Sequence, residues 1–125
     1  MKIEKFEDIQ AWQEARILVK SLYRIIKNNN EMNKDIRFRS QITSAAISIM
    51  SNIAEGFSRK SNKEFAQFLF IAKGSTAEVQ SQLYVALDLG YIDEKQFKET
   101  YAMSDKIARL VSKFITYLKG AQRTQ

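Results

Sequence analysis

The chain contains no cysteine, no histidine and no proline, and only four glycines among its 125 residues. Without cysteine there is no disulfide framework, no thiolate nucleophile and no Cys-ligated zinc or iron–sulfur site, which points to a reducing compartment. Without histidine the commonest general base and the commonest metal ligand are both missing. The Glu-x-x-His pairs of di-metal helical bundles cannot be built, and a helical ribonuclease of the Arg-and-His type is excluded in the same way. No apolar run approaches the ~20 residues of a membrane span, and Met1 to Phe6 lacks the apolar core of a signal peptide. P-loop and dinucleotide fingerprints are absent. These absences predict a cytoplasmic protein with no metal, no cofactor, no membrane association and no small-molecule substrate.

Scarcity of proline and glycine also limits the number of turns, because sandwiches, barrels and α/β folds use these residues at their many reversals. The breaks are Asn28 to Lys34, Gly56 to Ser61 and Gly90 to Asp93, which divide the chain into four segments of similar length. An all-α, up-and-down antiparallel four-helix bundle is the simplest architecture, with residues 1–125 as one domain and a polar tail from about residue 120 to 125 that frays. No internal repeat or linker interrupts it.

Periodicity supports helices in each segment. The first carries Ile9, Trp12, Ala15, Val19, Leu22 and Ile26 on one stripe, and the second carries Phe38, Ile42, Ala45, Ile49 and Ile53. Gly56 is expected to close the second helix in the left-handed conformation. Ser61 and Glu64 read as a capping box at the start of the third, whose stripe runs Phe65, Phe68, Leu69, Ala72, Thr76, Val79, Leu83, Leu87. Gly90 ends that helix. Asp93 to Gln96 caps a fourth, with Phe97, Tyr101, Ile107, Val111, Ile115 and Leu118 facing inward.

Two segments are more apolar than a four-helix core requires. Ile36, Ile47, Met50 and Ala54 widen the apolar arc of the second, and Phe70, Gly74, Ala77 and Ser81 form a second seam on the third, with Ile71 beside it. A helix-interior glycine costs about 1 kcal/mol relative to alanine, so Gly74 suggests the close approach of another backbone. That backbone belongs either to the same chain or to another copy. Large apolar side chains off the core face favour self-association through Ile47, Met50, Phe70, Ile71, Gly74 and Ala77.

Charge is distributed unevenly. The formal net charge is +6, with an excess of basic residues between 15 and 63, an acidic excess between 64 and 105, and no acidic residue after Asp105. Arg16, Lys20, Arg24 and Lys27 line one stripe of the first segment, and Lys106, Arg109 and Lys113 line another on the fourth. Such stripes attract phosphate backbones through charge and counterion release without base-specific contacts. The competing explanation is a solvated helix face, since no base-reading motif accompanies the pI of 9.6.

Asn52, Glu55, Arg59 and Glu64 cluster at the second helix–helix connection and raise the question of catalysis, with a glutamate as base and Arg59 as anion clamp. The structural explanation is stronger: Arg59 bridges carboxylates and terminal carbonyls where two helices meet. No catalytic residue is assigned.

The stretch from Gln41 to Glu78, QITSAAISIMSNIAEGFSRKSNKEFAQFLFIAKGSTAE, resembles the signature of the four helix bundle family, also called the 23S ribosomal RNA intervening-sequence protein family. Its most specific pieces are Ser51-Asn52-Ile53-Ala54-Glu55-Gly56, Arg59, Ser61, Glu64-Phe65 and Gly74-Ser75. Weaker similarity reaches from Phe6 and Trp12 to the fourth helix. The resemblance implies a bacterial four-helix bundle that forms homo-oligomers, typically pentamers, and in which Asn52, Glu55, Gly56, Arg59, Ser61 and Glu64 are structural. Some members are encoded within ribosomal RNA gene insertions, and a distantly similar group assists the reverse transcriptase of diversity-generating retroelements. The resemblance therefore implies nucleic-acid binding and no catalytic activity. This chain departs from the family's usual pattern in its Pro-free first loop and in Thr43-Ser44 at a start that is commonly Arg-rich. Two readings result: a non-catalytic oligomer presenting basic surfaces to RNA, DNA or a nucleic-acid enzyme, or an oligomeric scaffold or protein-interaction module with no nucleic-acid role.

Overall fold

The computed structural model describes the backbone of residues 3–124 and the side chains of residues 3–121. A 3-10 turn at Phe6–Asp8 leads into five α-helices: α1 (Gln10–Lys27), α2 (Asn30–Lys34), α3 (Ile36–Phe57), α4 (Asn62–Asp88) and α5 (Glu94–Thr124). No strand occurs among the described residues. The four long helices correspond to the four expected segments, and the short α2 corrects the expected count. The Asn-rich break is not an open loop, because the Asn29 carboxamide oxygen accepts the Met32 amide at 2.9 Å and starts a helical turn that buries Met32 completely.

Helix α1 packs on α3 and α5, α3 also packs on α4, and α4 on α5, so each long helix has two long neighbours. One continuous core fills the space between them. Ile42, Ile49, Ile53, Leu69, Val79, Leu83, Ile107 and Val111 are all essentially fully buried, as their spacing requires. Burial of each such Leu or Ile contributes roughly 1.5–3 kcal/mol. Leu18, outside the expected stripe of α1, is completely buried, while Trp12 and Val19 lie half-buried at the edge. Trp12 meets Phe6 edge-on with centroids 5.1 Å apart. In α5 the core includes Thr100 and Ser104; the Ser104 hydroxyl escapes an apolar penalty by local bonding, its Oγ donating to the Tyr101 carbonyl at 2.9 Å.

Gly56 overturns the expectation of a left-handed helix end. It lies inside α3, which continues through Phe57 and ends at Ser58 with right-handed backbone angles. The residue is glycine for a different reason: a Cβ there would stand 2.8 Å from both Phe65 Cδ1 and Phe68 Cβ, and 3.2 Å from the Phe65 carbonyl oxygen. Gly56 therefore sets how closely α3 and α4 approach at their shared turn. Gly90 does take the left-handed conformation, at φ 74°. The Tyr91 amide donates to the Ala86 carbonyl at 2.9 Å and the Gly90 amide to Leu87 at 3.0 Å, the paired bonds of a Schellman helix end.

Caps define the remaining ends. Ser61 Oγ accepts the Glu64 amide at 3.1 Å, and its hydroxyl donates weakly to the Glu64 carboxylate at 3.4 Å. Asp93 and Gln96 complete a reciprocal capping box: Asp93 Oδ1 accepts the Gln96 amide at 2.8 Å, and Gln96 Oε1 accepts the Asp93 amide at 3.0 Å. At the far end, α5 runs through the polar tail to Thr124, since neither a proline nor a left-handed glycine interrupts the backbone ladder among the described residues there. Gln125 lies outside the described residues.

The end of the molecule holding α2 is tied by three side chains. Asn29 Nδ2 donates to the Tyr91 carbonyl at 3.0 Å, the Tyr91 hydroxyl donates to Asp35 Oδ2 at 2.7 Å, and Asp35 Oδ1 accepts the Phe38 amide at 3.1 Å as the N-cap of α3. The bond from Tyr91, followed by that from the Phe38 amide, holds the Asp35 carboxyl below its usual range. The same bond, by favouring the neutral phenol, pushes Tyr91 up.

Candidate nucleic-acid interface

Residues four, four and three apart return to nearly the same side of a helix, so Arg16, Lys20, Arg24 and Lys27 share one face of α1. All four are exposed, opposite the buried Ala15, Leu18, Leu22 and Ile26. Among the described residues none of the four forms an ion pair, and the Arg16 guanidinium lies 6.0 Å from the centre of the Trp12 ring. At the C-terminal end of this stripe, Lys27 lines an open cleft with Tyr23, Asn33 and Arg39. Arg39 Nη1 donates to the Asn33 carbonyl at 2.7 Å and to its Oδ1 at 2.9 Å, which fixes the guanidinium beside Lys27's end of α1.

On α5, Lys106, Arg109 and Lys113 are likewise exposed. Lys106 Nζ reaches Glu14 Oε1 on α1 at 3.1 Å, and Arg109 Nη2 reaches Asp105 Oδ2 at 2.7 Å. Exposed pairs of this kind contribute only about 0–1 kcal/mol, so a polyanion can compete for both cations. Lys113 makes no ion pair among the described residues. A shallow groove gathers these three with a fourth cation, Lys73 of α4, over a floor that includes Ala108 and Leu110. Glu14, ion-paired to Lys106 on the α1–α5 seam, separates this cluster from the α1 stripe.

Neither Lys73 nor Arg39 belongs to a stripe legible in one helix. Both join a cluster only because a neighbouring helix supplies the other members.

The second apolar seam of α4 is placed on its outer face. Phe70 and Ile71 are 48% and 53% exposed, Gly74 and Ala77 are exposed, and Val85 continues the seam one turn beyond Ser81. A Cβ at Gly74 would meet nothing within 4 Å among the described residues, so none of them approaches it and the intramolecular explanation for this glycine fails. The seam is bordered by Lys119, whose ammonium lies 5.0 Å from the centre of the Phe70 ring. On α3, Ile47 is exposed, whereas Met50 is half-buried against the core of its own chain.

The motif residues of the α3–α4 turn make internal contacts. Asn52 Nδ2 donates to the carbonyl and the hydroxyl of Ser48 at 2.8 and 2.9 Å, and the buried Ser75 hydroxyl donates to Ser48 Oγ at 3.0 Å, linking α4 to α3. Arg59 pairs with Glu55 at 3.0 Å and stacks over Phe68 at 4.7 Å. This differs from the expected bridge between carboxylates and terminal carbonyls: one carboxylate and one aromatic face hold the guanidinium. Glu64 is occupied at the Ser61 cap. Among the described residues no group of three or more His, Cys, Asp or Glu is placed to hold a metal ion.

These features define a basic, all-helical protein with two exposed cation clusters and an apolar outer seam. The model of the 23S rRNA-intervening sequence protein family matches residues 7–113, and the chain belongs to that family. It is also similar to the crystal structure of a protein of unknown function from the S23 ribosomal protein family of Bacteroides thetaiotaomicron VPI-5482. The TM-score is 0.77 at 22% sequence identity, over 84% of this chain and 97% of that one, a likeness of fold. No curated protein matches the chain.

Proposed function

We propose that the protein is a non-catalytic, cytoplasmic homo-oligomer of up-and-down antiparallel four-helix bundles that binds nucleic acid, or an enzyme acting on nucleic acid, through its basic faces. The observation that carries this reading is the convergence of Lys73, Lys106, Arg109 and Lys113 from two helices on one shallow groove. Lysines and arginines spread over an open surface suit the regularly spaced charges of a phosphate backbone, whereas a small anion calls for an enclosed site. The unpaired α1 stripe offers a second such surface. Support for self-association comes from the α4 seam: an exposed glycine flanked by exposed aromatic and aliphatic side chains matches a helix face that another copy covers. The typical pentamer of the family sets the expected subunit number.

Filter binding of mixed-sequence RNA and DNA tests this reading. Replacing Arg16, Lys20 and Arg24 together by Glu, or Lys106, Arg109 and Lys113 together by Glu, is expected to reduce binding at least tenfold irrespective of sequence. Unchanged binding in both variants would contradict it. A native oligomer that binds neither RNA nor DNA at low salt would favour the second reading, an oligomeric scaffold whose charge serves solubility.

A further inference from the structure

A groove at the end where the first 3-10 turn, the α3–α4 turn and the last turns of α5 meet shares Lys113 with the α5 cation cluster. Its volume is about 720 Å³, within the range of small-molecule sites. Four aromatic rings line it in sequence: Phe57 lies 6.1 Å from Phe65, Phe65 lies 5.1 Å from Phe114, and Phe114 lies 6.2 Å from Tyr117. The series grades from the buried Phe65 to Tyr117, which is 70% exposed. A core needs no such outermost member, and an exposed aromatic beside solvent-facing cations has a distinct chemistry.

Two cations stand on the rim. Lys113 makes no ion pair among the described residues, and Arg59 is held in place by Glu55 and the Phe68 ring. The acidic group on the same rim, Asp8, is engaged locally, with its Oδ2 accepting the amides of Glu4 and Lys5 at 3.1 and 3.2 Å. The groove therefore combines flat apolar walls with one cation, Lys113, that has no ion pair among the described residues, and a second, Arg59, for whose exposed pair with Glu55 a phosphate can compete. A purely apolar ligand would leave the cations unused, and a bare anion would leave the rings unused.

We infer that this groove takes an unpaired nucleotide of single-stranded nucleic acid, the base stacking on Tyr117 and Phe114 and its flanking phosphates meeting Lys113 and Arg59. Aromatic platforms flanked by basic residues are how sequence-tolerant single-strand binding is generally achieved, because every base has a stacking face. Base pairing hides those faces, so duplex engages only the cations. The inference rests on the nucleic-acid reading above and adds to it a preference for unpaired residues and a location.

The test is fluorescence anisotropy of the full chain with one labelled 12-nucleotide RNA, its DNA counterpart and the duplex of each. Tyr117→Ala is expected to weaken binding of the single strands by about fivefold or more and to leave duplex binding unchanged. Tyr117→Phe, which keeps the stacking face, is expected to bind like the native chain. Thermal melting of Tyr117→Ala should match the native protein because the ring is mostly exposed. Equal loss for single strand and duplex, or no loss for either, overturns the groove assignment while leaving the cation clusters intact. Failure of the native chain to bind any of the four probes overturns the nucleic-acid reading and this inference together.

Discussion

An alanine methyl at position 56 would stand 2.8 Å from two carbon atoms of α4 residues, one of them the Cβ of Phe68. A Cβ cannot swing aside, so the helices must separate or Phe65 must leave its place in the core. Gly56→Ala is expected to destabilise the protein by about 1–3 kcal/mol in urea denaturation, despite the gain in helix propensity of up to ~1 kcal/mol. Gly74→Ala receives the same propensity gain with open space around it, and is expected to be neutral or stabilising. The Asp35–Tyr91 pair makes a separate residue-scale prediction. Because the folded Asp35 carboxyl titrates below its unfolded value, its contribution is present above about pH 4 and is lost as pH falls through the folded pKa. Because folded Tyr91 titrates above its unfolded value, its contribution is present below about pH 10 and is lost as pH rises through the folded pKa. Tyr91→Phe is therefore expected to lower the melting temperature throughout the neutral range, with the difference from the native chain shrinking at both extremes.

At the scale of elements, the outer seam of α4 decides between a covered and a solvated face. Gly74→Leu places a branched side chain where none of the described residues lies within 4 Å of the Cβ position. If another copy covers the seam, the variant is expected to keep its helical circular dichroism and lose its oligomeric mass in size exclusion with light scattering. Unchanged mass and melting would place Gly74 in solvent. The long helices themselves were legible from spacing, because four stripes of period 3.6 bounded by Ser61, Gly90 and Asp93 leave little freedom in type or position. Helix α2 was not legible: three consecutive asparagines read as a break, and the turn exists because Asn29 also finds the Tyr91 carbonyl, 62 positions away. The role of Gly56 was not legible for a similar reason. Gly56 follows Glu55 at the end of an apolar run and looks like a helix stop, while the rings that demand its hydrogen belong to the next helix. Periodicity identifies which face is inward and cannot give the distance between two faces.

The same limit governs the candidate site at the scale of the whole molecule. The stripes of α1 and α5 were readable because each repeats along one helix, whereas Lys73, Arg39 and the ring series from Phe57 to Tyr117 come together only after packing. Basic residues occupy α1 and the C-terminal half of α5, whereas at the α4–α5 turn Asp88, Asp93, Glu94 and Glu99 mix with Lys95 and Lys98. A polyanion therefore meets more cations along α1 and the C-terminal half of α5 than at the α4–α5 turn. The most direct test is the salt dependence of the native chain's affinity for mixed-sequence RNA and DNA. If about four phosphates are neutralised, raising monovalent salt from about 50 to about 200 mM is expected to weaken binding by about 100-fold, linearly on logarithmic axes. Affinity that does not change with salt, or no binding at the lower concentration, would contradict the account.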